Sequence, residues 1–392
     1  MSRINNRRAV ASLIFGRLIY AVNWYNFAAV FTLVARDMTQ NVSGLGIAVG
    51  SFYLGVGSFQ IPGGLLAAKI GPKKTAVYGT MLASSAALLS SMATTFSQLL
   101  VLRFLVGTGM AFVFAPAVVL MARYFRERAE GFSVGLFQAA FYLGGALGIF
   151  GWAVLAEVWG WRESLAISGG VGILTALLML LLVPRDSLHE GFAMELLEIR
   201  KIVANRWLLL QGVGLFAVNG FSSLVAAFMV FYLQGSQHAS AVLAGGVGAL
   251  SLIGSLISSP LLGSLHDRIR NPALLMFVSG LLGIAGLEIA SIPSVLAAIF
   301  ASLIVGFAAG GALTVGFAAA RELAHAEYET LAVSCINSTQ LFAGFFFPPI
   351  FAWSVLRFGY SSAWLLSGLY LFPFLGALLL AKTKSFVPRH AA

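Results

Sequence analysis

Twelve stretches of this chain run for about twenty residues with one charged side chain or none. They are Ala9–Ala35, Gly44–Ala68, Thr75–Ala93, Gln98–Ala122, Gly131–Ala156, Ser164–Val183, Trp207–Leu233, Ala241–Leu265, Pro272–Ile292, Ser294–Ala320, Thr330–Leu356 and Tyr360–Ala381. About twenty apolar residues in a helix cross a bilayer core, and a helix satisfies its own backbone polar groups, which lipid requires. The sequence therefore predicts an all-α integral membrane protein of twelve spans. A soluble core cannot take this chain: 59% of its residues are hydrophobic and 10% charged, against about 45–50% and 25% in soluble domains. One cysteine, Cys335, excludes an internal disulfide framework.

The net charge of +10 would point a soluble protein toward nucleic acid. Here its placement reports topology. Arg3, Arg7, Lys69, Lys73, Lys74, Arg268 and Arg270 fall on one face of the twelve-span arrangement, while the other face holds Arg36, Arg162 and Arg357. Basic loops stay in the cytoplasm, so the expectation is a multi-pass protein of the cytoplasmic membrane with both termini cytoplasmic. The first apolar run is too long for a signal-peptide core and reads as a retained helix.

The chain also resembles itself. An offset of 199 pairs Gly64 with Gly263, Lys69 with Arg268, Gly107 with Gly306, Glu130 with Glu329 and Gly145 with Gly344, and an offset of 196 pairs Ala21-Val22-Asn23 with Ala217-Val218-Asn219. The reading is an N-terminal six-helix bundle over 1–183, a cytoplasmic linker over 184–206 and a C-terminal six-helix bundle over 207–392. In the linker Glu195, Glu198, Arg200 and Lys201 interleave with apolar residues, the pattern of a short amphipathic helix at the membrane surface. Six spans separate equivalent helices, so they run in the same direction. This is the parallel repeat of transporters whose site lies between the halves.

Between the second and third runs stands Gly64-Leu65-Leu66-Ala67-Ala68-Lys69-Ile70-Gly71-Pro72-Lys73-Lys74, and between the eighth and ninth Gly263-Ser264-Leu265-His266-Asp267-Arg268-Ile269-Arg270. Both resemble the signature loop of the major facilitator superfamily, G-x-L-a-D-r-x-G-r-k, and Arg103-Phe104-Leu105-Val106-Gly107-Thr108-Gly109 resembles its second motif, R-x-x-x-G-x-G. The resemblance implies two rocking six-helix bundles, with a gating role for Gly64, Lys69, Gly71, Lys73, Gly263, Asp267 and Arg268. The loop acid of the family falls on Asp267 in the second copy. The first copy departs, with Ala68 at the acid position and Pro72 at a usually basic one. The exporter motif G-x-x-x-G-P-x-x-G-G is matched at Gly144-Gly145 and departed from at Ala140-Phe141.

Ionisable groups within spans are costly and mark pathways or paired sites. Three occur: Arg17, Arg103 and Glu288. Arg17 lies about 12 Å in from the cytoplasmic end of its run, where snorkelling back to the surface and facing a central cavity both remain open. Arg103 lies about 7 Å in from the opposite end. In a core about 30 Å thick the two backbones stand about 10 Å apart, a spacing suited to a larger organic anion or to successive contacts. The family resemblance places both on cavity-lining helices. Glu288, near a span end, reads as an interfacial carboxylate.

Tyr20, Asn23, Trp24, Gln138, Tyr142, Asn219, Asn337 and Gln340 complete the candidate solute site. Gln138 and Tyr142 share a helix face, and Gln138 is the repeat mate of Asn337. The expectation is a secondary active transporter of a small organic or inorganic anion, working by alternating access. Alternatives are a carrier of a neutral solute or a drug exporter with structural arginines, and a transport-dead solute sensor on the same fold. No catalytic or metal-ligand spacing occurs, so neither enzyme chemistry, a metal nor a cofactor is expected. The expected partners are a small-molecule solute, a co-transported ion and membrane lipids, without nucleic acid, around a monomer.

Overall fold

A computed structural model describes residues 3–117, 130–182, 196–323 and 329–381. Among these every regular element is a helix. Span 1 comprises Arg3–Trp24 and Asn26–Asp37, followed by span 2 (Val42–Ile70), span 3 (Pro72–Ser90), span 4 (beginning Phe96–Ala111), span 5 (Glu130–Trp159) and span 6 (Trp161–Leu182). A short helix, Leu196–Val203, leads to span 7 (Arg206–Ser236), span 8 (Ala241–Ile269), span 9 (Pro272–Ala290) and span 10 (Val295–Glu322). Span 11 comprises Glu329–Leu341 and the first part of Ala343–Leu380, and span 12 is the remainder. Among the described residues ten stretches are individually long and apolar enough to cross a membrane. The count reaches twelve because one of them, Leu331–Leu380, turns at Gly359 with φ 80°, and because span 3 carries Lys73, Lys74 and several hydroxyls that lower its hydropathy.

Helix starts follow local chemistry. Asn41, Asn205, Ser240, Asn271 and Ser294 each accept a hydrogen bond from the first turn of the span they precede, and Thr95 forms a reciprocal capping box with Gln98. Within the linker Leu196–Val203 is helical and packs against spans 7 and 11. The end of the fourth run, 118–122, and the linker part 183–195 lie outside the described residues.

Two helices depart from the expected continuous runs. Span 1 breaks at Tyr25 (φ −98°, ψ 3°), with neither proline nor glycine there. Successive helical residues point about 100° apart, whereas Trp24 and Tyr25 both border the same central cavities. The break lets both rings turn inward. Span 4 is interrupted at Phe112–Val113, because Pro116 has no N–H for the Phe112 carbonyl and its ring crowds that carbonyl.

Repeat-related residues make repeat-related crossings. A Cβ on Gly107 would overlap the Phe52 carbonyl oxygen, and one on Gly306 the Ser251 carbonyl oxygen, so spans 2 and 4 cross as spans 8 and 10 do. Between the halves, span 5 packs on span 8 and span 2 on span 11. There Gly145 admits Leu252 of span 8, while its mate Gly344 admits Tyr53 of span 2. Leu252 is itself the mate of Tyr53 at the offset of 199. The seam therefore has approximate two-fold exchange symmetry.

Candidate functional site

Between the halves lies a cavity of about 60 Å³ lined by spans 1, 2, 4, 5, 7, 10 and 11. Eight of the ten candidate residues border it: Arg17, Tyr20, Trp24, Gln138, Tyr142, Asn219, Asn337 and Gln340. The N-terminal half supplies its charge. Arg17 is 6% exposed, and its Nη2 donates to Gln138 Oε1 at 3.0 Å. The guanidinium carbon lies 4.3 Å from the Phe141 ring centre and 4.7–4.9 Å from those of Phe114, Tyr20 and Phe137. Arg17 therefore does not snorkel. Its Nε and Nη1 are buried without a hydrogen-bond acceptor, and among the described residues no carboxylate pairs with it.

The C-terminal half supplies amides. Asn219 Nδ2 donates to the Gln340 carbonyl at 3.1 Å, and Gln340 Nε2 donates to Asn337 Oδ1 at 2.7 Å, leaving Gln340 Oε1 without a donor. On the near side Gln138 Nε2 faces Tyr142 Oη at 3.5 Å, and Tyr20 Oη donates to the Met110 carbonyl at 3.3 Å. The repeat-related amides of Gln138 and Asn337 thus border one space.

Arg103 and Asn23 are placed elsewhere. Arg103 is 2% exposed and borders an adjoining cavity of about 40 Å³. Its Nη1 donates to Asn26 Oδ1 at 3.2 Å, beside the Phe27 ring, while its Nε and Nη2 have no acceptor. Asn23, expected to face the solute, turns instead to span 6. Its Oδ1 accepts from Ser168 Oγ at 2.8 Å, and Ser168 Oγ accepts from Asn26 Nδ2 at 2.7 Å. Asn23 thereby braces the residue that holds Arg103. Trp24, Tyr25, Tyr53 and Ala226 border both cavities.

Aromatic pairs close the stack. Toward the end that carries the basic loops, Phe114 and Phe317 meet across the halves at 5.1 Å between ring centres. Toward the other end Phe31 and Phe231 meet at 5.9 Å, and Thr32 Oγ1 donates to Gln234 Oε1 at 2.5 Å.

At the loops, a Cβ on Gly64 would come within 2.8 Å of Ser334 Oγ on span 11, so this glycine permits close packing of the halves. Gly71 has φ 91° and Lys73 Nζ donates to the Leu180 carbonyl at 2.8 Å, capping span 6. Lys69, Asp267 and Arg268 are exposed and Gly263 is buried. Asp267 lies 3.7 Å from His266 Nδ1 on its own helix. Glu288, in span 9, borders neither cavity.

Sequence reasoning missed Tyr25, Tyr53, Gln60, Phe114, Phe141 and Phe317, all of which line the main cavity. Tyr53 and Gln60 are seven residues apart and so share a face of span 2, which is the signal that could have found them.

Twelve spans in two six-helix halves around a central chamber define a polytopic carrier fold. The chain belongs to the Major Facilitator Superfamily, which matches residues 13–293 and 212–391. It is 29% identical over 148 residues to the probable sulfoacetate transporter of Cupriavidus necator (38% of this chain, 34% of that one). It is 23% identical over 292 residues to the probable galactarate/D-glucarate transporter GudP of Escherichia coli (64% of each). To the methylenomycin A resistance protein of Bacillus subtilis it is 25% identical over 327 residues, 78% of this chain and 66% of that one. The matches thus span about one third to two thirds of these relatives' lengths. A bacterial homologue of the human lysosomal transporter Spinster, inward-facing and unoccupied, shares the fold with a TM-score of 0.77 at 15% identity, covering 97% of this chain and 98% of that one.

Proposed function

We propose that the protein is a secondary active transporter that carries a small organic anion across the cytoplasmic membrane by alternating access. The observation that carries this reading is Arg17: a buried guanidinium bordering a chamber between the halves, with two nitrogens lacking acceptors and no carboxylate partner among the described residues. A charge left so is costly, and a bound carboxylate or sulfonate supplies both the counter-charge and the bidentate acceptor geometry that guanidinium favours. Related transporters with names referring to sulfoacetate and to galactarate/D-glucarate support the same class.

In this reading the Phe114–Phe317 and Phe31–Phe231 pairs are the two gates, and the amides of Asn219, Asn337 and Gln340 orient the solute. The basic loops around Lys69 and Arg268 face the cytoplasm, as do both termini, following the positive-inside rule. Asp267 and Arg268 act on the cytoplasmic gate when the halves rock. The protein acts as a carrier without catalysis.

Counterflow in proteoliposomes tests this. Anionic solutes exchange and neutral ones do not; Arg17→Ala abolishes exchange and Arg17→Lys retains part of it. Wild-type exchange of neutral drugs, undiminished in Arg17→Ala, would support instead an exporter, the reading that the methylenomycin A resistance relative favours. Binding without exchange would mark a sensor.

A further inference from the structure

We propose that Gln60 reads a neutral polar group on the solute, and that the solute of the Arg17 chamber is a monocarboxylate bearing a hydroxyl or a comparable hydrogen-bonding group. This rests on the anion-carrier reading above. Gln60 lies on span 2 at 1% exposure, and both its Oε1 and its Nε2 are buried without a partner. It borders the same cavity as Arg17. A buried amide with both ends open is rare in folded proteins, because each unmade bond leaves a desolvated group. One helical turn away, Ser338 Oγ of span 11 donates to the Gly57 carbonyl at 2.7 Å and does not serve Gln60. An amide offers one donor and one acceptor edge, which suits a hydroxyl, itself both donor and acceptor.

Charge balance sets the rest. Among the described residues that line this chamber Arg17 is the one cation and none is a carboxylate. Arg103 borders the adjoining cavity and not this one. One carboxylate is therefore neutralised at Arg17, while a second in the same chamber stays buried and unpaired, which is strongly unfavourable. The facing rings of Phe114 and Phe141 suit a short apolar body between the two polar ends.

Binding to the purified protein is measured by calorimetry for three bodies, each carrying a hydrogen, a hydroxyl or a second carboxylate: propionate, 3-hydroxypropionate and succinate; butyrate, 4-hydroxybutyrate and glutarate; benzoate, 4-hydroxybenzoate and terephthalate. The expected result is that, for at least one body, the hydroxylated monocarboxylate binds about tenfold tighter than its parent and the diacid binds weakest. In Gln60→Leu the ratio of hydroxy-acid to parent-acid affinity falls to near one. Gln60→Asn, a shorter amide, keeps part of the preference. A hydroxyl preference unchanged in Gln60→Leu, or a diacid binding tightest, overturns the inference while leaving Arg17-dependent anion binding intact. Absence of binding by every acid, or binding unaffected by Arg17→Ala, overturns the anion-carrier reading and this inference with it.

Discussion

Replacing Arg17 by methionine separates a solute-binding guanidinium from a structural one. Four ring contacts at 4.3–4.9 Å contribute about 0.5–1 kcal/mol each, or roughly 2–4 together. The 3.0 Å bond to Gln138 adds about 1.5–3 kcal/mol. Against these stands desolvation of a whole charge, several kcal/mol after relaxation. The terms nearly cancel in the empty protein, and methionine retains contact with the rings through its polarizable sulfur. Arg17→Met is therefore expected to fold, insert and unfold thermally close to wild type. Solute binding behaves differently. The two nitrogens without acceptors can each give a charge-assisted bond of about 1.5 kcal/mol or more, so their loss weakens binding by over about hundredfold. Thermal unfolding of both proteins, with and without the carboxylate that binds wild type, reads both quantities at once. The reasoning fails if Arg17→Met unfolds far below wild type, or if it keeps the full stabilisation by ligand.

Gly306→Val places side-chain atoms on the Ser251 carbonyl oxygen and is expected to abolish folding, whereas Gly170→Ala, which meets nothing within 4 Å, is expected to leave expression and melting unchanged. Arg270 occupies the left-handed region with φ 52° and ψ 31°, so Arg270→Gly is expected to raise stability by about 1 kcal/mol in thermal unfolding. A lower melting point would show that the side chain outweighs the backbone. With Cys335 changed to serine, oxidising a cysteine pair at Phe114 and Phe317, or at Thr32 and Gln234, is expected to halt counterflow and reduction to restore it. Full transport by the bridged protein would remove that pair from gating.

Helix number and the direction of the repeat were legible because lipid imposes them on every span: long charge-free runs leave few alternatives. Arg17 was legible for the same reason, since one charge in a run of apolar residues needs a purpose. Asn23 was misplaced because repeat matching finds a residue without telling which helix face it occupies, and its face meets Ser168 of span 6. Gln60 went unnoticed because an uncharged amide in a span is commonly explained by a helix-to-helix hydrogen bond. Only the arrangement of its neighbours reveals that it has none. The break at Tyr25 lacks the proline or glycine that ordinarily announces one and follows from ring packing that no local pattern records.

The exchange of Gly145–Leu252 for Gly344–Tyr53 across the seam has a consequence for how many charges the centre can hold. Two identical subunits meeting through such a surface would bury every ionic group in duplicate, doubling the desolvation and setting like charges against each other. Joining the halves in one polypeptide lifts that parity. The N-terminal copy keeps an arginine at 17 where its mate at 213, at the offset of 196, is valine, so an even scaffold carries an odd cation at its chamber, and the halves differ in charge without any loss of mechanical balance.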